Sequence, residues 1–337
     1  MSHPFFSVCV PVYNAEVYLD ACLQSIMNQT EVDFEVIAVN DGSLDNSQRL
    51  IEQFSEKDSR FKLVTQDNKG LFHTRLTALE HSQGTYIVWL DADDYLETHA
   101  LSYLRNLIQQ SDADMVIYNH FDEFTNGSRR CGQAIFDDGH VFEGQKKELF
   151  EQFILSSQLT SIWRKAIKRH LFELDKVRHL PRITMGEDWI WSYYPMLVAD
   201  RIVYTTEPLI NYRILPTSLT SQYDTGWHET LSLMHDLGQQ WLATVPESQL
   251  TGQVLDVKYL VDLSKALVYI PGRVKDKGAY LDMLRKIGSN KVIKELYDEQ
   301  KANLSFLYRL PFILLYSSFY HCLLQLKRLS AILRKRK

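Results

Sequence analysis

The chain has 337 residues, enough for one large domain plus a smaller one with an ample core. Hydrophobic residues make up 45% and charged residues 23%, as is ordinary for a folded soluble protein, and the net charge is −5. The four cysteines are scattered and form no CxxC pair, which excludes a cysteine-based metal site.

The first 120 residues alternate between strand-length apolar runs and segments of helical period. The predicted strands are Phe6–Val12, Phe34–Asn40, Phe61–Thr65, Tyr86–Leu90 and Met115–Tyr118. The predicted helices are Ala15–Gln29, Leu44–Lys57, Gly70–Ser82 and Thr98–Gln110. Near-continuous apolar strands separated by helices indicate βαβ units, so we expect an α/β fold with a mostly parallel sheet covered on both faces.

The pattern weakens beyond Asn119, and the rest of the chain divides less clearly. We expect an irregular excursion at 120–145, mainly helix at 145–202, one strand at Arg201–Thr205, and a nearly all-helical region from Trp227 onward. The predicted domains are therefore 1–225, with a first half to about 120 and a second half of 121–225, and a smaller helical domain of 226–337.

Polar residues follow three of the predicted strands at the point where each strand ends. These clusters are Pro11-Val12-Tyr13-Asn14, Asn40-Asp41-Gly42-Ser43 and Asp91-Ala92-Asp93-Asp94. Ligands of open parallel sheets bind beyond the carboxyl ends of the strands, so we expect the clusters to converge on a ligand. Turn chemistry explains the first two clusters equally well, because Asn, Asp and Gly favour turns.

The third cluster crowds three carboxylates directly after a buried strand. Like charges this close raise one another's pKa and destabilise the fold unless a cation or hydrogen-bond donors compensate. Carboxylate oxygens suit Mg²⁺ or Mn²⁺, which commonly take further ligands from substrate phosphates. We therefore predict a divalent cation at Asp93, with Asp91 nearby; the alternative is an acidic turn that caps the helix starting near Thr98.

Several segments together resemble family-2 glycosyltransferases, which have the nucleotide-sugar-binding GT-A fold. They are SVCVPVYNAEVYLDACLQSIMNQT, FEVIAVNDGSLDNS, Asn68-Lys69-Gly70 with Arg75, and YIVWLDADD, in matching order over roughly residues 5–120. A weaker resemblance continues through WRKAIKRHLF, MGEDWIW, ADRIVYTTEPLINYR and Ser218-Leu219-Thr220, and is to bacterial enzymes that build capsules, exopolysaccharides and wall or lipid-linked glycans.

The resemblance implies a UDP-sugar donor and a set of residues that bind it. Pro11, Tyr13 and Asp41 match positions that hold the base and ribose. Arg75 matches the arginine that reaches the base or diphosphate, and Asp93 matches the direct metal ligand. The full donor set implied is Pro11, Tyr13, Asn68, Asp41, Arg75, Asp91, Ala92, Arg213 and Ser218. One departure is that Lys69-Gly70-Leu71-Phe72-His73-Thr74-Arg75-Leu76 keeps the arginine but not the small residues and asparagine of Gly-Gly-x-Ser-x-Ala-Arg-Asn.

The Gly186-Glu187-Asp188-Trp189 segment resembles the family motif whose aspartate is the catalytic base. Acids at a helix start are also favourable without any catalytic role. With the upstream match, we interpret Asp188 as the base, and we expect Glu187, Trp189 and Trp163 near the acceptor.

These assignments predict an inverting, metal-dependent transfer of a hexose or N-acetylhexosamine to a hydroxyl of a glycan or lipid-linked saccharide. Two other readings stay open: a sugar nucleotidyltransferase, which lacks its glycine-rich loop here, and a non-enzymatic nucleotide-sugar-binding or scaffold homologue. A dinucleotide dehydrogenase is disfavoured because no GxGxxG follows a strand.

The C-terminal tail, 303–337, is basic on an otherwise acidic chain. No acidic residue follows Glu299, and six cationic residues occur from Lys327 on. The 17 uncharged residues LPFILLYSSFYHCLLQL are too few and too polar for a spanning helix. We expect an interfacial helix that buries Phe312, Leu315, Phe319 and Leu323 in an anionic membrane surface; the alternative is packing on the protein itself or on a second copy.

The expected location is cytoplasmic, since MSHPFFSVCVPV lacks the basic region of a secretory signal. Within the cytoplasm we expect a peripheral position at the inner membrane face. No nucleic acid is expected as a partner.

Overall fold

The chain forms two compact units, Met1–Pro216 and Thr217–Lys337. The computed structural model describes residues 3–144, 146–155, 157–183, 185–215, 227–245, 252–269, 277–317 and 323. The predicted second domain began at 226, and the second unit begins at Thr217. Each unit has its own hydrophobic core.

The described part of the first unit contains ten strands in one sheet. They are β1 (Phe6–Val12), β2 (Phe34–Asn40), β3 (Phe61–Thr65), β4 (Tyr86–Trp89), β5 (Tyr95–Leu96), β6 (Met115–Glu123), β7 (Arg129–Cys131), β8 (Val141–Glu143), β9 (Lys165–Lys168) and β10 (Arg201–Arg213). The main order is β3-β2-β1-β4-β9-β6-β10-β5, with β7 beside β6 and β8 beside β10.

Most strands on this path run in one direction, which confirms the predicted mostly parallel α/β sheet. Strand β1 pairs in parallel with β2 and β4, β2 with β3, and β6 with β10. Strand β9 runs against both β4 and β6 and joins the two parallel groups. Every residue of β1 and β2 is buried, as expected for strands covered on both faces.

The helices of the first unit are α1 (Glu16–Met27), α2 (Ser47–Lys57), α3 (Leu71–His81), α4 (Ala100–Ser111), α5 (Lys147–Leu155), α6 (Ser157–Thr160) and α7 (Glu187–Val198). Their apolar faces follow helical spacing; in α1 the buried residues are Leu19, Cys22, Leu23 and Ile26. These side chains belong to the core that also contains the interior residues of β1, β2 and β4. Helix α1 therefore packs against β1, β2 and β4.

The sequence pattern did not predict β9 or β5, and the predicted strand Arg201–Thr205 is shorter than β10. Strand β9 lies in a stretch predicted as mainly helical, and β10 extends to Arg213 rather than Thr205. Lys165 in β9 is fully buried. Its Nζ donates to the carbonyl oxygens of Leu159 (2.6 Å) and Ser161 (2.7 Å), and these hydrogen bonds replace those to water. A strand with a buried lysine does not show the apolar run by which buried strands are recognised.

The described part of the second unit is helical, with α8 (Trp227–Ala243), α9 (Gly252–Tyr269), α10 (Lys277–Ser289), α11 (Lys291–Gln300) and α12 (Phe306–Tyr316). Phe312, Leu315 and Leu323 are at most 1% exposed and belong to the core of this unit. The prediction that these three side chains face a membrane is therefore wrong, since they pack on their own protein. Phe319 and the cationic residues from Lys327 on lie outside the described residues.

Within the residues that the structure describes, no helix has both the length and the hydropathy needed to cross a membrane.

Candidate active site

The ends of β1, β2 and β4 lie side by side at one edge of the sheet. Val12 is in register with Asn40, and Cys9 with Trp89. The backbone N–H of Asp41 donates to the carbonyl of Val12 at 2.9 Å, so the strand ends stay together beyond the pairing. Pro11 is buried in β1, whereas the Tyr13 side chain that follows is half exposed. The geometry presents an aromatic ring at an edge that also carries Asp41 and Asp91.

Asp41 organises the loop between β3 and α3. One carboxylate oxygen accepts from Gln66 Nε2 (2.7 Å) and from the N–H of Lys69 (2.8 Å), and the other accepts from the N–H of Gly70 (2.9 Å). Asn68 Nδ2 donates to the Asp41 carbonyl at 3.1 Å. This carboxylate therefore holds Asn68-Lys69-Gly70 in place, and its predicted contact with the nucleotide base stays a prediction.

Gly70 is required at the start of α3 by its backbone and by its neighbour. Its φ is +85°, a conformation that favours glycine, and an added Cβ would come within 3.0 Å of Arg182 Nε. The Arg182 guanidinium in turn donates to Asn68 Oδ1 at 3.1 Å. Arg182 and Gln66 were not among the predicted site residues, and neither lies in a sequence motif that would identify it.

The acidic turn after β4 gathers three carboxyl groups in different environments. Burial raises the pKa of Asp93 to about 6, and the neighbouring charge of Asp91 acts in the same direction. Burial and Asp93 also raise the pKa of Asp94, which is fully buried. One Asp94 oxygen accepts from the N–H of Arg213 (2.8 Å), and the other is buried without a hydrogen-bond partner. The turn therefore carries electrostatic strain that a cation beside Asp93 would relieve.

Arg75 connects this turn to the start of α7. Its Nη2 donates to Asp91 Oδ1 at 3.0 Å, and its Nη1 donates to Asp188 Oδ1 at 2.5 Å. Glu187 Oε1 lies 3.5 Å from the same Nη1. The Arg75 side chain is only 1% exposed, whereas Asp188 is 27% exposed. The structure thus brings Asp91 and Asp188, which are far apart in sequence, onto one guanidinium.

The two acids that open α7 have raised pKa values. Burial raises the pKa of Glu187 to about 7, with the charge of Asp188 acting in the same direction. Burial also raises the pKa of Asp188, while the guanidinium of Arg75 favours its ionised form. A carboxylate that is accessible and titrates above its ordinary range suits proton transfer near neutral pH.

Arg213, at the end of β10, contacts the acidic turn that follows β4. Its Nη1 donates to the carbonyl of Asp93 at 2.7 Å, and its Nε lies 3.3 Å from Glu123 Oε2. The guanidinium also lies 4.6 Å from the ring centre of Tyr95. Arg213 therefore contacts the acidic turn itself, and its predicted grip on a diphosphate stays a prediction. Ser218 lies outside the described residues.

The two tryptophans predicted near the acceptor are buried. Trp163 stacks on Tyr212 with ring centres 5.1 Å apart, and Trp189 stacks on Tyr193 at 4.5 Å. They are 8% and 5% exposed. Core packing thus accounts for both rings, and an acceptor role for them, and for Glu187, stays a prediction. Ala92 is buried between the acids of the turn.

No group of three or more His, Cys, Asp or Glu side chains able to hold a metal ion occurs among the described residues. The acidic turn can nevertheless fit a divalent cation that keeps waters and takes other ligands from phosphates, because such sites often use one or two carboxylates. Asp93, whose pKa is raised and whose side chain is less buried than that of Asp94, is the carboxyl group of the turn that a cation could reach and stabilise in its ionised form.

Comparisons with known proteins identify the family of this chain. The model of the family "Glycosyl transferase family 2" matches residues 7–171. The glycosyltransferase GlyG of Streptococcus pneumoniae serotype 4 is 30% identical over 234 residues, which are 66% of this chain and 75% of GlyG. The glycosyltransferase GlyA of the same organism is 33% identical over 234 residues, or 67% of this chain, but the chain spans only a third of GlyA.

Among solved structures, residues 1–349 of Staphylococcus aureus TarS in complex with UDP-GlcNAc resemble this chain with a TM-score of 0.69. The match covers 96% of this chain and 90% of the TarS chain at 19% identity. At that identity the likeness concerns the fold alone.

Proposed function

Because this chain belongs to glycosyl transferase family 2 and is a glycosyltransferase, we propose that it moves a hexose or N-acetylhexosamine from a UDP-sugar to an acceptor hydroxyl with inversion. The acceptor in this proposal is a glycan or a lipid-linked saccharide, and a divalent cation, Mn²⁺ or Mg²⁺, assists. The observation that carries the proposal is the placement of Asp188 beside the acidic turn through Arg75.

The donor would lie along the edge formed by the ends of β1, β2 and β4. Tyr13 offers an exposed ring against which a base can stack, and Asp41 fixes the loop beside it. The TarS structure, whose fold this chain shares, was solved with UDP-GlcNAc, which supports a UDP-sugar here. Asp93, with Asp91 nearby, would hold the cation, which supplies Lewis-acid stabilisation of the leaving diphosphate when bound.

Asp188 carries the acid–base part of the reaction. Its carboxylate accepts the proton of the acceptor hydroxyl as that oxygen bonds to the anomeric carbon of the sugar. The bond between the anomeric carbon and the diphosphate oxygen breaks at the same time, and its electron pair leaves with UDP. A single displacement of this kind inverts the anomeric configuration. Arg75 keeps the ionised carboxylate directed toward the site.

The proposed location is the cytoplasmic face of the membrane, where a lipid-linked acceptor would be found. The six cationic residues from Lys327 on support it, since each cation near an anionic leaflet contributes about 1 kcal/mol. Phe312, Leu315 and Leu323 do not support it, because they are in the protein core. Pairing with a second copy is the other role proposed for the tail.

The test is turnover of a panel of UDP-sugars with and without Mn²⁺, measured as release of UDP, for the wild-type protein and for Asp188→Asn. We expect the variant to lose roughly 10² or more in turnover with nearly unchanged UDP affinity, because the base acts on the acceptor. Asp20→Asn is the matched control, since Asp20 lies on the exposed face of α1 and should leave turnover unchanged.

Near-normal turnover of Asp188→Asn would remove the base assignment and make Glu187 the next candidate. Absence of turnover of any UDP-sugar by the wild-type protein, together with retained UDP binding, would favour the non-enzymatic nucleotide-sugar-binding homologue. Formation of a UDP-sugar from UTP and a sugar phosphate would instead indicate a nucleotidyltransferase.

A further inference from the structure

Arg75 occupies an unusual position for a residue expected to touch the nucleotide. It is 1% exposed, and both Nη atoms are already directed at carboxylates of the protein. Its Nε is buried and has no hydrogen-bond partner in the structure. Asp91 and Asp188 are therefore more accessible to a donor molecule than the guanidinium that lies between them.

The surroundings of Arg75 hold the guanidinium in one place. Its central carbon lies 5.9 Å from the ring centre of Trp89, the last residue of β4. Trp89 packs against Trp191 of α7 with ring centres 6.4 Å apart, and Trp191 stacks on Phe72 of α3 at 5.0 Å. The three elements that carry Arg75, Asp91 and Asp188 thus share one buried aromatic cluster.

The two carboxylates belong to different parts of the sheet unit. Asp91 follows β4, in the part of the chain that carries the predicted donor residues. Asp188 lies in the first turn of α7, which comes after β9 in the chain. Arg75 donates to both, so a single side chain sets the distance between them. Nη1 also lies near Glu187, so removal of the guanidinium would leave three acids without their shared counter-charge.

We propose that Arg75 is a positioning residue that places the Asp188 base relative to the donor-side carboxylate Asp91, and that it does not bind the nucleotide. The proposal rests on the proposed function, because it takes Asp188 as the base. It differs from the role implied by the family resemblance, in which this arginine reaches the base or the diphosphate. Misplacement of a reacting group by about 1 Å can cost about 10² in rate, so the effect falls on turnover.

The experiment measures kcat, donor KM and UDP affinity for Arg75→Met, Arg75→Lys and the double variant Arg75→Met with Asp188→Asn. We expect Arg75→Met to lower kcat by about 10² and Arg75→Lys by about 10, with UDP affinity changed less than about twofold. The double variant should turn over no more slowly than Asp188→Asn alone, since residues that act through one another are not additive.

Arg178→Met is the matched control, because Arg178 pairs with Glu80 and Asp175 at the surface and is 53% exposed. Its kinetics should equal those of the wild-type protein. Melting temperatures are recorded for every variant, and Arg75→Lys, which keeps the buried charge, decides the question if Arg75→Met does not fold.

Weakened UDP binding with unchanged kcat in Arg75→Lys would overturn this inference and restore the nucleotide-binding role. Multiplication of the two losses in the double variant would also overturn it, because Arg75 would then act independently of Asp188. Full activity of Asp188→Asn would be a failure of the proposed function itself, and the single-variant measurement separates that outcome from the other two.

Discussion

Single carboxyl groups in this protein differ according to the partners that the fold provides. Asp41 accepts three hydrogen bonds from the loop that follows β3, whereas Asp93 lies beside Asp91 with a pKa raised to about 6. The first group stabilises the apo protein and the second destabilises it at neutral pH. The residue expected to hold a cation is therefore one whose charge the metal-free fold leaves poorly compensated.

Asp93→Asn should remove metal-dependent nucleotide binding and yet stabilise the metal-free protein. The folded state holds the Asp93 proton up to about pH 6, whereas an ordinary aspartate loses it near 3.8. Stability is therefore lost as the pH rises through this window, and the loss is complete at neutral pH. We expect a gain on the order of 1 kcal/mol at pH 7, shrinking toward pH 4.

Calorimetric titration with UDP and Mn²⁺ checks the binding, and urea unfolding between pH 4 and 7 checks the stability. Asp20→Asn, on the exposed face of α1, is the control. A variant that is less stable than the wild-type protein at pH 7, or that keeps its response to Mn²⁺, would contradict the assignment of Asp93.

At the scale of elements, α7 is held at both ends by charged side chains. Glu187 and Asp188 lie in its first turn, where acids are favoured by the helix dipole. At the other end, the buried Lys146 donates through Nζ to the carbonyl oxygens of Leu197 and Ala199 at 2.6 Å, and of Met196 at 3.2 Å. These carbonyls have no partners inside the helix, so Lys146 completes its last turn.

Lys146→Met should lower the free energy of unfolding by about 1–3 kcal/mol, because it leaves buried carbonyls unsatisfied. Burial lowers the pKa of Lys146 from 10.5 to about 8. Between pH 8 and 10.5 the unfolded chain binds a proton that the folded protein has lost. The free energy of unfolding of the wild-type protein therefore increases as the pH rises through this range. That increase should vanish in the variant.

Denaturant unfolding at pH 7, 8.5 and 10 measures both effects. Lys147→Met is the control, since Lys147 is exposed and its nearest acid, Glu151, is 3.8 Å away. Equal losses for the two variants would show that Lys146 does not hold the end of α7.

The sequence predicted those elements and site residues that depend on local pattern or on parallel-strand topology. The apolar runs of β1 to β4 identified the strands, and the shared direction of β1, β2 and β4 brought Tyr13, Asp41 and Asp91 to one edge. Strand β9 could not be recognised from the sequence, because Lys165 interrupts its apolar pattern. The backbone carbonyls that accept hydrogen bonds from the buried Lys165 side chain come near it only in the folded chain. The Arg75–Asp188 contact joins α3 to α7, and no local pattern records such a pairing.

For the molecule as a whole, the described residues of the tail contribute to the core of the second unit. Phe312, Leu315 and Leu323 pack there among side chains such as Leu263 and Leu284. A truncation after Ser305 removes all three side chains, whereas a truncation after Leu326 removes only the basic segment 327–337. The two truncations therefore separate the structural role of the tail from its proposed role at a membrane.

Truncation after Ser305 should destabilise the second unit, since each of these buried side chains contributes about 1.5–3 kcal/mol. Truncation after Leu326 should keep the unfolding transition of the full chain and lose sedimentation with anionic liposomes at low salt. Thermal unfolding and liposome sedimentation measure the two effects. A stable, more soluble product of the first truncation would contradict the packing of α12, and liposome binding by the second would show that the basic segment is not the anchor.

The position of β9 in the sheet has a consequence for the chain during its synthesis. Strand β4 is complete at Trp89, but the strand that covers its edge ends at Lys168. Ribosomes add about 5–20 residues per second, so the roughly 80 intervening residues take about 4–16 s to appear. During that interval the nascent chain has β4 as an unpaired apolar edge, which can pair with other chains. Slower translation of residues 90–168 should therefore increase aggregation of this protein, even though the finished sheet does not expose that edge.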